Sequence, residues 1–340
     1  MKRIASIFAG LLMAASAAAQ VDYTFNNNNV IPFSLNPALV GNANAMRFGL
    51  NYRMQWPALD NHYTTTRISY DQNFYKQMAS AGLSFTRDNE ANVFKKNEIA
   101  AVYSHNIRLE DEYFIRLGLQ MALNLNYFDA SGLTFDDSYA GEGKPELKTN
   151  DEVTEAHCNY VDFSFGAAFV WENKLTVGGS VYHIGQPNNG FDDKEASKVG
   201  RRYVFHVNYM QDLEARSGLW GRRDMSSTYL FGSGAFQQQA VEVASSEDDK
   251  RIYRLASLNI GCMTNPVIFG VADKYDFTSS LGNLNVLSFM IGGNYKGLQG
   301  YYIFDLYTSK KDNGSWSHEF AVVYVIPPKH YRYACPIVYW

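Results

Sequence analysis

Between Tyr113 and Tyr127 apolar and polar residues alternate without a break. The odd positions are Tyr113, Ile115, Leu117, Leu119, Met121, Leu123, Leu125 and Tyr127. The even positions are Phe114, Arg116, Gly118, Gln120, Ala122, Asn124 and Asn126. Successive side chains of a strand point to opposite faces. One face is therefore an apolar stripe ended by tyrosines, and the other is small or polar apart from Phe114. A tilted strand of about 9–11 residues crosses a bilayer, and aromatic girdles mark both interfaces of such strands. A water-soluble sandwich would need a second sheet over the stripe, whereas a barrel in lipid needs none.

The period recurs along the chain. Phe48, Leu50, Tyr52 and Met54 alternate with Arg47, Gly49, Asn51, Arg53 and Gln55. Val161 to Trp171, Tyr203 to Tyr209, Leu287 to Tyr295, Tyr302 to Leu306 and Phe320 to Ile326 behave alike, and weaker candidates lie near 62–74, 79–88, 94–107, 173–185, 226–239, 250–263 and 265–275. The pattern predicts an all-β protein, a transmembrane antiparallel up-and-down β-barrel of roughly 14 strands, with 12 to 16 as the range. If the first strand rises from the periplasm, the long polar connections near 128–158, 186–200, 240–249, 276–283 and 309–315 are external. The tight turns Glu172-Asn173, Thr264-Asn265 and Lys296-Gly297 are then periplasmic. That asymmetry is the one expected of outer-membrane barrels. Segment 212–225 is too long for a periplasmic hairpin and breaks the rule.

Composition changes the picture in two places. Lys2 and Arg3, the apolar run Ile4 to Ala15 and the small residues Ala17 to Ala19 read as a secretory signal, with the mature chain beginning at Gln20. The expected organisation is a signal at 1–19, an N-terminal periplasmic or plug segment at 20–44, the barrel at 45–326 and a periplasmic tail at 327–340. Mean hydropathy is only -0.28, because alternate residues alone face lipid. The net charge of -4 gives no support for nucleic-acid binding. Cys158, Cys262 and Cys335 are an odd number in an exported chain, so at most one internal disulfide forms.

No catalytic constellation, cofactor motif or metal-ligand spacing is present in the sequence. The seven histidines are scattered, and His157 and Cys158, adjacent in a strand, face opposite ways. The acidic stretch from Asp136 to Glu155 matches no calcium loop and reads as a solvated external loop. By parity, Arg47, Arg53, Arg67, Asp71, Asp162, Arg202, His206, Asp305 and Glu319 face the interior. Charges of both signs there either pair and fill the lumen or line a path through it. Asp71, Asp305 and Glu319 are the candidate partners of Arg53. Residues Asn36–Gly41 and Arg53–Pro57 are expected to form one structural lock near the start of the barrel.

The run Phe33 to Gly41, with Asn36, Pro37 and Gly41, followed by Asn51-Tyr52-Arg53-Met54-Gln55-Trp56-Pro57 and then Ser69-Tyr70-Asp71, resembles the opening of the PorP/SprF family. The resemblance continues through Gly185 to Phe191, Arg202-Tyr203 with His206, the Tyr302 to Ser309 run with Asp305, then Ser317-His318-Glu319 and Cys335-Pro336. It implies a non-enzymatic outer-membrane protein of the type IX secretion system of Bacteroidota, without cofactor or metal. Its partners would be a secreted protein with a conserved C-terminal domain, such as a gliding adhesin, and periplasmic or outer-membrane components of the secretion machine. An outer-membrane solute channel resembling long-chain fatty-acid transporters is the alternative. If the external loops bind the partner, the aromatics Phe128, Phe135, Tyr139 and Phe191 are the candidate anchors.

Overall fold

The computed structural model describes residues 22–26, 31–43, 45–59, 61–110, 112–129, 156–172, 174–190, 198–213, 228–242, 250–264, 266–277, 284–308 and 315–326. Fourteen strands form the wall: β1 (Met46–Gln55), β2 (Tyr63–Phe74), β3 (Ala79–Glu90), β4 (Phe94–Arg108), β5 (Tyr113–Phe128), β6 (Ala156–Trp171), β7 (Leu175–Tyr182), β8 (Arg202–Asp212), β9 (Tyr229–Glu242), β10 (Lys250–Thr264), β11 (Val267–Asp276), β12 (Leu284–Tyr295), β13 (Leu298–Tyr307) and β14 (Trp316–Ile326). Each strand pairs antiparallel with its sequence neighbours. The ring closes where β1 meets β14, from Met46 opposite Ile326 to Gln55 opposite Ser317. Closure leaves neither the first nor the last strand with a free edge, as a sheet in lipid requires.

Burial is inverted relative to a water-soluble protein. Leu119 is 60% exposed and its neighbour Gln120 8%. Outward apolar residues such as Phe205, Ile260 and Val322 are exposed, while Arg116, His206, Gln239 and Glu319 are among the most deeply buried side chains. Every residue placed inside by parity is inside, although Arg202 keeps some exposure. At the two ends of its strand Tyr113 stacks on Trp171 and Phe169, and Tyr127 packs on His157. β7, with eight residues, is half the length of β6 with its sixteen. β6 is therefore paired to β7 only from Phe165 to Trp171.

The lumen is occupied by the chain's own N-terminal side. Two short 3₁₀ turns, Pro32–Ser34 and Pro37–Leu39, lie within it. Phe33, Ala38, Leu39 and Val40 are buried there against inward residues of the wall, including Val102, Ala168, Ala321 and Val323. Proline at the first position of each turn fixes φ where no N–H partner is needed. Segment 212–225 coincides with the connection from β8 to β9, of which residues 214–227 lie outside the described residues.

The face assignment yields a stability test. Leu119→Arg should cost about 2–4 kcal/mol for a cation at midplane depth on the lipid face. Gln120→Arg, beside a luminal cavity, should be much milder. Denaturant unfolding into lipid vesicles measures both, and the reverse order would exchange the two faces.

Candidate functional site: the occupied lumen

The lumen is built by fitting a non-periodic segment into a row of small residues. Gly118 of β5 lies opposite Gly166 of β6, which lies opposite Ser180 of β7. A methyl group at Gly118 would stand 2.2 Å from the Ala38 nitrogen, and one at Gly166 would stand 1.9 Å from Asn36 Oδ1. Only glycine permits so close an approach of segment to wall. Asn36 is wholly buried at this contact. Its Oδ1 accepts from the Ala38 N–H at 2.9 Å, capping the second 3₁₀ turn. Its Nδ2 donates to the carbonyls of Ala167 (3.0 Å) and Gly179 (3.2 Å) and meets His206 Nε2 at 2.9 Å. On the other side of the ring, Nδ1 lies 3.2 Å from the Asn208 amide nitrogen, so both ring nitrogens face amide groups. Ser180 Oγ donates to the Leu35 carbonyl at 2.8 Å, and Arg116 donates to the Val40 carbonyl at 2.5 Å.

The next contact fixes the entry into β1. Gly41 has φ +66, a conformation that disfavours a side chain. Its N–H donates to Asp71 Oδ2 at 2.8 Å, and Arg47 holds the same carboxylate through both oxygens, at 2.8 and 3.0 Å. One carboxylate thus joins the turn, β1 and β2 by charge-assisted bonds, the stronger kind.

Residues 22–26 cross the other half of the lumen. The Asp22 N–H donates to Gln239 (3.2 Å), and its carboxylate meets Arg202 (3.1 Å) and His183 Nε2 (2.8 Å). His183 Nδ1 in turn faces Asp162 at 3.0 Å. Tyr23 OH donates to Glu98 (3.1 Å) and accepts from Arg67. The Thr24 carbonyl accepts from Arg53 and the Phe25 carbonyl from Lys274 Nζ (3.0 Å). The Asn26 N–H donates to Glu319 at 2.8 Å, and its side-chain amide donates to Ser288 at 3.3 Å. Arg53 also pairs with Asp305 (3.4 Å), which accepts from Ser317 at 2.5 Å. Beside this run lies a cavity of about 70 Å³ lined by Arg67, Glu98, Tyr160 and Arg202 among others. A smaller one of about 20 Å³ lies near Asn208 and Lys274.

Two expectations are corrected here. The residues of the expected single lock separate into two. Asn36–Gly41 binds the wall at β5 to β7 and reaches Asp71, whose partner is Arg47. Arg53 instead grips Thr24 and Asp305 near the far end of β1. Gln55 Nε2 donates to Tyr307 OH at 3.4 Å. Trp56, at φ +52, leaves the strand and packs on Tyr63 and Tyr307 before Pro57 turns the chain. The second correction concerns Phe128, which is the last residue of β5 and packs on Phe94 at 4.9 Å, instead of standing free on a loop. His318 faces outward, its Nδ1 2.8 Å from Tyr302 OH, while Ser317 and Glu319 on either side face in. Phe135, Tyr139, Phe191, Cys335, Pro336 and the acidic stretch 136–155 lie outside the described residues. Cys158 and Cys262 are free thiols. Parity alone did not single out Lys274, Glu98 or the glycine row. Reading Gly118 and Gly166 as cross-strand neighbours would have exposed the last.

His183 lies just beyond the end of β7. Burial disfavours its charged form, but the carboxylates of Asp22 and Asp162 hold its pKa up at about 10 instead of 6.5. Burial likewise opposes ionisation of Asp22, yet His183 and Arg202 override it and keep the carboxyl well below its usual 3.8.

Asn36→Ala should cost about 1–3 kcal/mol for each buried group it leaves without a partner, and so several in total, read as a lowered thermal midpoint in detergent. Ser34→Ala, which removes a local bond to the Ile31 carbonyl, should be milder; equal effects would deny Asn36 its central place. The charged cluster predicts a pH profile. The histidine's contribution is complete below about 6.5 and lost as pH rises through about 10. The carboxyl's is present above about 3.8 and lost as pH falls through its depressed folded value. The midpoint difference between wild type and His183→Gln should therefore be largest between about 3.8 and 6.5 and shrink toward zero above pH 10. A difference that grows in alkali would refute the assignment.

Among solved structures, the chain is similar to a FadL homologue from Pseudomonas aeruginosa at 10% identity and a TM-score of 0.47, over 90% of this chain and 98% of that one. It is also similar to the monoaromatic hydrocarbon channel CymD, at 9% identity and a TM-score of 0.46 over 93% and 98%. A third likeness is to Acinetobacter baumannii Omp33, at 6% and 0.43 over 84% and 100%. Likeness at this level carries no inference about transport. No curated protein matches the sequence. Residues 16–324 match the family described as type IX secretion system membrane protein PorP/SprF. The span runs from ahead of the luminal segment nearly to the end of β14, and the chain, a multi-pass barrel of the outer membrane, belongs to the PorP/SprF family of the type IX secretion system.

Proposed function

We propose that this barrel holds an exported partner at the outer membrane or assists its secretion. The partner would carry the C-terminal domain through which type IX substrates are recognised, and an adhesin is the type expected. Periplasmic or outer-membrane components of the machine are the second class of partner. The observation that carries the reading is the occupied lumen of a type IX family member. Residues 22–26 and 31–43 fill it with buried, hydrogen-bonded contacts, and the two cavities beside them hold a few waters at most. That arrangement suits a rigid scaffold better than an open solute channel, so the channel reading is the weaker one. On this reading residues 20–44 act as a plug, 45–326 as the scaffold, and the long external connections as the partner surface. Phe135, Tyr139 and Phe191 supply aromatic anchors there.

Deleting residues 138–152 tests the reading. The barrel should still assemble, as judged by heat-modifiable migration in gels, because no strand of the ring is touched. The secreted partner should pass into the medium. Retention at wild-type levels on the cell surface would remove this loop from the partner site.

A further inference from the structure

Four of the contacts that hold residues 22–26 are directed at peptide backbone. Arg53 and Lys274 donate to consecutive carbonyls, of Thr24 and Phe25. Gln239 and Glu319 accept the N–H groups of Asp22 and Asn26, the two ends of the run. These wall groups come from β1, β11, β9 and β14, so the grip extends around the ring. Side-chain recognition is added at Asp22, Tyr23, Phe25 and Asn26, with Tyr23 OH donating to Glu98 and Asn26 Nδ2 to Ser288. The Asp22 carboxylate sits between His183 and Arg202, and the Arg67 guanidinium lies over the rings of Tyr23 and Phe25 at 5.1 and 5.6 Å. A backbone-directed set of donors and acceptors does not depend on which chain supplies the peptide. Removing the occupant without replacement would strip partners from buried charged groups, each a costly loss. Exchange for another peptide restores them.

We propose that this half of the lumen is a binding site for a linear peptide, filled in the resting protein by residues 22–26. The incoming occupant is a linear segment of the exported partner with an acidic residue followed by aromatics. The inference rests on the partner-holding reading above and gives it a location. The resident segment is tethered, so its effective concentration is on the order of millimolar. A competing peptide binds the intact chain more weakly by the corresponding factor. Loosening the resident should then reveal the site.

The probe is a fluorescent peptide of this chain's residues 20–26, QVDYTFN, followed by anisotropy against the full chain in detergent. Asp22→Ala/Tyr23→Ala should bind it at least tenfold more tightly than wild type does. Adding Lys274→Met should reverse most of that gain, and a scrambled peptide should bind at least tenfold more weakly. Equal binding of the scrambled peptide, or no gain in the double variant, overturns the proposal. Should the double variant not fold, wild type is irradiated with millimolar peptide carrying a photoreactive phenylalanine at the Phe25 position. Crosslinks should map to the luminal wall around Arg67 of β2 and Lys274 of β11, and crosslinks confined to the outer surface of the barrel overturn it. Peptide binding that is intact while Lys274→Met leaves the partner fully retained on cells would separate the two ideas. The luminal site would stand and its role in anchoring would fall.

Discussion

A strand with lipid on one side has only its other side for anything polar. Fourteen such strands turn groups such as Arg116, Asp71 and Asn51 toward one enclosed space, and the rest of this structure follows from how those groups are satisfied. Lone charges there would be expensive, and pairing within the wall uses only part of the set. Arg47 with Asp71 and Arg53 with Asp305 are wall pairs. The carbonyls of Thr24, Phe25, Leu35 and Val40 supply much of the remainder. The segment that fills the barrel is therefore part of its electrostatics as well as its packing.

How much of this was legible in the sequence depended on distance along the chain. The period of two is local, and it placed Arg47, Asp162, His206 and Glu319 on the correct face. Pairing is not local. Arg53 chooses Asp305 over Asp71 because β1 closes against β14, beside β13, and no short-range pattern reports that seam. The segment 22–43 has no period at all. Its place depends on glycines that are neighbours only across strands, Gly118 and Gly166. The family motifs stood in for this missing information. They mark Asn36, Gly41, Arg53 and Asp71 without any register, whereas the expectation of one lock misses that these residues form two.

The two halves of the segment are held in different ways. Asn36 to Gly41 is fitted sterically into a glycine-lined socket, where small changes are severe. Residues 22–26 are held by charges and backbone bonds, which another peptide can replace. The first half behaves as part of the fold and the second as a ligand that happens to be covalently attached.

Chain order adds a consequence for biogenesis. The ring is sealed by its first and last strands, so its interior is open until the whole chain has arrived. The filler precedes in the chain every strand that surrounds it. The wall can therefore grow around an occupant already present, strand by strand, with each new row of charges meeting its counterpart on arrival. A wall closed in that order would be cast on a core already in place.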